Sequence, residues 1–217
     1  MEQKTVKKPS LFGIIWSPVE QFEKIRNRPR IWIPLLIVSA LYVIGTYFSI
    51  SQLDYTELLG DAVPAEQLDM AVMVGMITGM IASLFTPILS ILISSAIFML
   101  IAKIAASDVS FKQLFSMNTY ISLIGALGLV LNGLIGMAIG KSFELSITSL
   151  AGVMGSQNAV LGAIELFTIW GTILTAIGLH KVAGLSKGLA WTVTIVFFLI
   201  SLGFAYITTA LSGMNGI

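Results

Sequence analysis

A carboxylic acid inside an apolar stretch is the residue of this sequence best suited to chemistry. Glu165 lies seven residues into the apolar run 158–179, and Asn132 lies at a similar depth in the run 119–140. Intramembrane carboxylates are costly, and they usually face other helices or a watery cavity, where they relay protons or bind cations. We expect Asn132 and Glu165 to hydrogen-bond between helices, and a protonated Glu165 would suit such a bond. Structural bridging and a proton or cation relay would both explain the pair.

The remaining side chains argue against an enzyme. The chain has one His and no Cys, which excludes a Cys nucleophile and thiolate metal sites. His180 has no second His with which to hold a metal, and a cation at a helix C-terminus is favoured by the helix dipole. We therefore expect no catalytic residue, no metal and no cofactor.

The composition indicates a membrane protein. Hydrophobic residues make up 56% of the chain and charged residues only 11%, whereas soluble domains carry about 25% charged residues. Five continuous apolar runs are long enough to cross about 30 Å of hydrocarbon as helices. These runs cover residues 31–50, 71–102, 119–140, 158–179 and 188–211. The predicted fold is all-α: a five-helix transmembrane domain over 31–217, preceded by a basic, amphipathic segment over 1–30.

The distribution of charge predicts the orientation of these helices. Eleven of the twelve Lys and Arg residues fall on one side of the five predicted spans, and only Lys141 falls on the other. Cytoplasmic loops carry the excess of basic residues. We therefore expect a multi-pass protein of the cell membrane with its N-terminus in the cytoplasm and its C-terminus outside.

A basic run stands directly before the first span. It consists of Lys24, Arg26, Arg28 and Arg30 and is followed by Trp32. Such a run attracts anionic lipid head groups. A nucleic-acid patch is the alternative interpretation, but no basic domain or aromatic platform accompanies the run. We expect membrane lipids, and no nucleic acid, as its partners.

Two short amphipathic helices are predicted on the basic side. Ser17, Pro18 and Glu20 form a capping-box pattern with Pro at the first helical position. The apolar stripe that follows consists of Val19, Phe22 and Ile25. This helix would lie in the membrane interface, or it would dock a cytoplasmic partner. The second helix, capped by Ser107 or Asp108, would carry Phe111, Leu114 and Phe115 into the third span.

The loop between the first two spans is acidic and contains no Lys or Arg. Its carboxylates are Asp54, Glu57, Asp61, Glu66 and Asp69. The calcium-loop pattern D-x-[DN]-x-[DN]-G is absent. We expect a solvated acidic cap outside, able to meet a cationic partner.

Glycines and one proline shape the predicted bundle. Gly75 and Gly79 form a G-x-x-x-G motif in the second span, and Gly136 and Gly140 form another in the third. Such motifs let helices approach closely, either within the bundle or across a homodimer. Pro87 lies near the middle of the overlong second run and predicts a kink there.

Three stretches of the sequence resemble the Yip (Ypt-interacting protein) domain family in its bacterial branch. The stretch SPVEQFEKIRNRPRIWIPLLI carries a similar rhythm in Pro18, Phe22, Trp32 and Pro34. SFKQLFSMNTYISLIG is similar to the entry into the third helix of the family. WGTILTAIGLHKVAGLSKGLAW is similar to its fourth-to-fifth helix hairpin, with Trp170, Gly178 and Gly184 in place.

The resemblance implies a five-helix membrane domain without enzymatic activity. Eukaryotic members bind small GTPases and carry the signature D-L-[WY]-G-P before the first helix, where this chain instead reads Arg28, Pro29 and Arg30. Some bacterial members are associated with ABC-type exporters. The expected function is a scaffold or accessory protein that assembles with other membrane proteins, among them ABC exporter subunits. A small transporter or channel that uses Glu165 is the alternative, although no internal repeat is apparent.

Overall fold

The described part of the chain is mostly α-helical. The computed structural model describes residues 7–53, 55, 59, 63–139 and 146–215. The α-helices in this part are α1 Pro18–Asn27, α2 Trp32–Ile50, α3 Leu68–Ile104, α4 Phe111–Ile139, α5 Leu150–Met154, α6 Ala159–Ala163, α7 Leu166–Lys181 and α8 Lys187–Asn215. Short 3₁₀ turns cover Phe12–Ile14 and Ala65–Gln67. The described ranges contain no β-strand beyond an isolated bridge between Ser149 and Glu165.

Four of the predicted spans correspond to helices that are long and apolar enough to cross a membrane. Within the described ranges these are Trp32–Ile50, Leu68–Ile104, Phe111–Ile139 and Lys187–Leu211. The prediction of one continuous helix over 158–179 is wrong, because the chain breaks between α6 and α7 at Ile164 and Glu165. Hydropathy could not reveal this break, since the residues around it remain apolar.

Helix α4 lies at the centre of the bundle, in contact with α1, α2, α3 and α7. Its contact with α2 depends on small residues. A Cβ atom built on Gly45 would lie 3.0 Å from the backbone nitrogen of Val130, and one built on Gly133 would lie 2.7 Å from the Cβ of Phe48. Gln52 extends the contact, since its Nε2 donates to the carbonyl oxygen of Gly133 at 2.9 Å. The α2 and α4 backbones therefore approach closely.

Helix α3 continues through Pro87 without interruption. Its buried residues recur at spacings of three or four, which places them on one side of a helix. They are Ser83, Pro87, Ile91, Ser95, Phe98 and Ala102. On this stripe, the buried Ser95 hydroxyl accepts a hydrogen bond from Asn118 of α4 at 2.9 Å. Pro87 thus faces the bundle, and the predicted kink remains a prediction.

Many fully buried side chains lie at the end of the bundle where α1, the start of α4 and the turn between α7 and α8 meet, here called the basic end. Phe22 and Ile25 of α1, Leu114 and Met117 of α4, and Leu179 of α7 are all 0% exposed. These side chains belong to one continuous apolar cluster. Protein side chains therefore hold the basic end together.

Two predicted helix caps differ from those observed. The Ser17 hydroxyl makes no capping bond and donates instead to the carbonyl oxygen of Gly13 at 3.1 Å, although Pro18 does occupy the first turn. At α4, the cap is Ser110 and not Ser107 or Asp108. Ser110 Oγ accepts from the Gln113 backbone N–H at 3.3 Å, while Gln113 Oε1 accepts from the Ser110 N–H at 2.8 Å. This reciprocal pair is a capping box, so the predicted second interfacial helix is the first turns of α4.

Candidate functional site

Glu165 occupies the break between α6 and α7 and caps the N-terminus of α7. Its backbone is extended, and its Oε2 accepts hydrogen bonds from the Thr168 backbone N–H at 2.7 Å and from the Thr168 hydroxyl at 3.2 Å. A helix N-terminus leaves N–H groups without partners and carries partial positive charge. A carboxylate there satisfies a donor and is itself stabilised, even though Glu165 is only 7% exposed.

Thr148 joins Glu165 to Asn132. The Thr148 hydroxyl donates to Glu165 Oε1 at 2.6 Å. On the other side, Asn132 Oδ1 accepts from the Thr148 backbone N–H at 3.0 Å, and Asn132 Nδ2 donates to Thr148 Oγ1 at 2.9 Å. The prediction of a direct bond between Asn132 and Glu165 is therefore corrected: the two residues share one network, with Thr148 between them.

Two backbone hydrogen bonds connect the segment that carries Thr148 to the residues at the start of α7. The Leu150 N–H donates to the Ile164 carbonyl at 3.0 Å, and the Leu166 N–H donates to the Thr148 carbonyl at 3.3 Å. Helices α5 and α6 lie in the loop whose two ends these hydrogen bonds connect. Protein groups therefore satisfy backbone N–H and carbonyl groups on both sides of the break at Glu165.

A cavity of about 280 Å³ adjoins the network. Its wall includes Tyr42 of α2, Gly125 of α4, and the polar residues Asn132, Glu165 and Thr168. A liquid water occupies about 30 Å³, so the cavity can hold several waters with polar partners. The arrangement could bind a proton or a small cation, yet both carboxylate oxygens of Glu165 already accept hydrogen bonds.

A second polar cluster fastens α1 to α4 and α7 at the basic end. Lys181 pairs with Glu23 at 2.8 Å, and Arg26 donates to the Lys181 carbonyl at 3.4 Å. Gln113 Nε2 donates to the Arg26 carbonyl at 2.6 Å. Together with the buried Phe22, these contacts correct the prediction that the apolar stripe of α1 faces lipid. Only Val19 of that stripe is exposed.

The predicted basic run is divided between internal contacts and free charge. Lys24 pairs with Glu20 at 2.7 Å, and the Lys24 ammonium holds the pKa of that carboxyl below its usual value. Arg28 is exposed, and Trp32 is 82% exposed. Arg30 is half-buried, and its backbone N–H and carbonyl both bond to the Ser116 hydroxyl, at 3.1 and 2.7 Å. Part of the run therefore anchors α1, and part remains available to an outside ligand.

The two glycine motifs have different surroundings. Gly136 on α4 faces Gln52, two residues after the end of α2, and Gly140 lies outside the described residues. On α3, a Cβ atom at Gly75 would meet none of the described residues within 4 Å, and one at Gly79 would meet only Ile50 Cδ1 among them, at 3.8 Å. The α3 motif thus leaves an open face.

The predicted acidic cap is described only in part. Asp54, Glu57 and Asp61 lie outside the described residues, while Glu66 and Asp69 are exposed. Among the residues that are described, no three His, Cys, Asp or Glu side chains group as metal ligands would. His180 Nδ1 contacts the Leu185 carbonyl oxygen at 2.8 Å, which fixes the turn between α7 and α8.

Reasoning from sequence missed Thr148 and Ser116. Both are short polar residues that bond across the fold, Thr148 to side chains 16 and 17 residues away and Ser116 to Arg30 86 residues away. Neither belongs to a periodic pattern or motif. The only feature of the sequence that could have indicated them is a polar residue next to an apolar run, and many residues of this chain share that feature.

The sequence of this chain is similar to a protein family and to a known membrane protein. A family model described as Yip1 domain matches residues 12–208 of the chain. "Membrane protein YknW" of Bacillus subtilis (strain 168) is 36% identical to this chain over an alignment 217 residues long. The alignment covers 97% of this chain and 94% of that protein. No solved structure matches the chain. The family match extends from the turn before α1 into α8 and so includes both the basic end and the Glu165 network.

Proposed function

The chain belongs to the Yip1 domain family and is a membrane protein, and on that premise we propose that it is a non-enzymatic scaffold or accessory protein. It would assemble with other membrane proteins through helix faces that its own bundle leaves open. Subunits of an ABC-type exporter are the partner class that we propose first, and a second copy of this chain is the alternative.

The open glycine face of α3 carries this proposal. Gly75 and Gly79 are one helical turn apart and have almost no neighbours in the described part of the chain, in contrast to Gly45 and Gly133, which are covered inside the bundle. In lipid, where helices gain little from the hydrophobic effect, small residues favour association because they permit close packing. An exposed G-x-x-x-G face therefore suits a partner helix.

We further propose that α6 and α7 together make the remaining crossing, for five in all. Helix α7 has 16 residues, about 24 Å at 1.5 Å per residue, which is short of a full span. The five residues of α6 would supply the rest. Five crossings, with the basic end in the cytoplasm of a cell, agree with the positive-inside rule.

A small transporter or channel is the second candidate function. The cavity beside Glu165 and the broken helix favour it, since discontinuous helices line many transport sites. Three hydrogen bonds to the carboxylate favour a structural role instead. Flux of protons or cations into liposomes that contain the purified protein would distinguish the two functions.

The deciding experiment is a pull-down from native membranes in mild detergent, with mass spectrometry of the captured proteins. Gly75→Leu with Gly79→Leu should abolish capture of the partner, because bulky side chains keep a facing helix away. Gly203→Leu is the matched control, since a Cβ atom at Gly203 on α8 also meets nothing within 4 Å in the described part of the chain. If the unchanged protein, the Gly75→Leu/Gly79→Leu variant and the Gly203→Leu variant captured the partner equally, the proposal that the α3 face binds the partner would be contradicted. A protein captured alone, together with Glu165-dependent flux, would favour the transporter.

A further inference from the structure

A cavity of about 240 Å³ opens beside the first turn of α2, at the basic end. Its wall is basic on one side and apolar on the other. Lys8 and Arg30 supply the basic side, and Leu11, Ile33 and Ile37 supply much of the apolar side. Ile33 and Ile37 are one helical turn apart, so they form a continuous track along α2.

The frame of this cavity is held by hydrogen bonds between distant parts of the chain. The buried Tyr120 hydroxyl donates to the Pro9 carbonyl at 3.3 Å, which fixes the segment that carries Lys8. The Ser10 N–H donates to Gln21 Oε1 of α1 at 2.8 Å. The two bonds of the Ser116 hydroxyl to the Arg30 backbone fix the other basic residue. These hydrogen bonds therefore hold the segments that form the wall of the cavity.

The cationic groups at this cavity differ from those of Lys24, Arg26 and Lys181 at the same end of the bundle. Lys24 and Lys181 are each paired with a carboxylate, and Arg26 donates to a backbone carbonyl. Where the chain is described, neither the Arg30 guanidinium nor the Lys8 ammonium has an ion pair or hydrogen bond to another residue. Two unpaired cations thus stand beside an apolar track that starts at the head of a membrane-crossing helix.

We propose that this cavity binds one anionic phospholipid. The phosphate would lie between Lys8 and Arg30, and an acyl chain would follow Ile33 and Ile37 along α2. Arg30 precedes α2 by two residues, so its charge stands at the level of lipid head groups when α2 crosses the membrane. Basic pockets between transmembrane helices have the charge and depth that such head groups require.

Titration of the purified full-length protein, followed by native mass spectrometry, tests the head-group half of the site. The probes are dioleoyl phosphatidylglycerol, dioleoyl phosphatidylcholine and glycerol 3-phosphate. One molecule of phosphatidylglycerol should bind tightly to each protein molecule, whereas phosphatidylcholine and glycerol 3-phosphate should bind weakly. Lys8→Gln with Arg30→Gln should weaken the binding of phosphatidylglycerol by about fivefold for each charge removed. The control pair Lys7→Gln with Arg28→Gln makes the same change of charge outside the cavity wall and should leave it unaltered.

A second pair of variants tests the acyl track. Ile33→Ser should weaken binding of the long-chain lipid, while Leu36→Ser, at an equally exposed site of α2 outside the cavity wall, should not. Unaltered thermal unfolding of each variant shows that the fold is intact. Equal losses in both charge variants would reveal diffuse surface attraction and overturn the proposal. Binding of glycerol 3-phosphate as tight as that of the lipid would make this a free phosphate site and overturn it too.

Discussion

The Thr148 hydroxyl lies 2.6 Å from Glu165 Oε1, and this contact joins the broken helix to the centre of the bundle. The same Thr148 residue bonds to Asn132 of α4 through its hydroxyl and its backbone N–H. A single short side chain thus connects the N-terminus of α7 to α4. The polar groups of this region are satisfied by one another, which lowers the cost of placing a carboxylate among apolar helices.

Thr148→Val should destabilise the protein although it preserves the shape of the side chain. The change leaves Glu165 Oε1 and Asn132 Nδ2 each short of one partner, and a buried unsatisfied group costs about 1–3 kcal/mol. Thermal unfolding in detergent measures the loss. Thr172→Val is the control, because the exposed Thr172 hydroxyl bonds only to the Thr168 carbonyl of its own helix. Equal melting temperatures for the two variants would contradict the bridging role of Thr148.

Glu165→Gln should lose less stability than Glu165→Ala. Gln keeps an oxygen that can accept from the Thr168 N–H, whereas Ala removes the cap, which costs about 0.5–2 kcal/mol, and also the bond to Thr148. Unfolding measurements on both variants compare them. If Gln instead kept full stability and abolished proton or cation flux into liposomes, a relay through the carboxylate would be favoured over a structural cap.

Phe22→Ala should destabilise the protein by about 3–5 kcal/mol, the usual cost of removing a buried aromatic side chain. Phe22 is 0% exposed and lies close to Gly178 of α7. Val19→Ala, on the exposed part of the same helix, should cost much less. Unfolding in lipid-free detergent is the measurement, because a helix held only by lipid would lose nothing there. Similar small losses in both variants would mean that α1 does not depend on packing against the bundle.

Apolar continuity along the sequence predicted most of the fold, and contacts between distant residues account for what it missed. Helices α2, α3, α4 and α8 follow from long apolar runs, since lipid permits few other structures. Helix α1 is predicted to be amphipathic, but its apolar stripe can pack against protein as well as against lipid. Glu165 and Asn132 were predicted as partners. Thr148, which joins them, lies outside both of the apolar runs that contain them, and no spacing rule connects the three.

Replacement of Lys24 by Met should raise the pKa of Glu20. That pKa lies below its ordinary value of 4.5, chiefly because the Lys24 ammonium donates a hydrogen bond to the carboxylate. A lowered pKa in the folded state means that the pair adds stability above the unfolded pKa and loses it as the pH falls through the folded value. Carboxyl chemical shifts recorded from pH 2 to 7 report the titration. Lys112→Met, on α4, should leave the Glu20 pKa unchanged, and an equal shift in both variants would point to general charge instead of this pair.

Substitution of glycine by alanine should have opposite effects at Gly45 and Gly75. The added methyl at Gly45 would meet the Leu129 side chain at 2.7 Å and the Val130 backbone at 3.0 Å, so α2 and α4 must separate. Overpacking of this kind costs about 1–3 kcal/mol. At Gly75 the methyl meets no described residue within 4 Å, and alanine in a helix interior is favoured over glycine by up to about 1 kcal/mol. Unfolding of the isolated protein should therefore show a loss at Gly45 and a small gain at Gly75. A loss at Gly75 in the isolated protein would mean that its face is already covered, by a second copy of the chain.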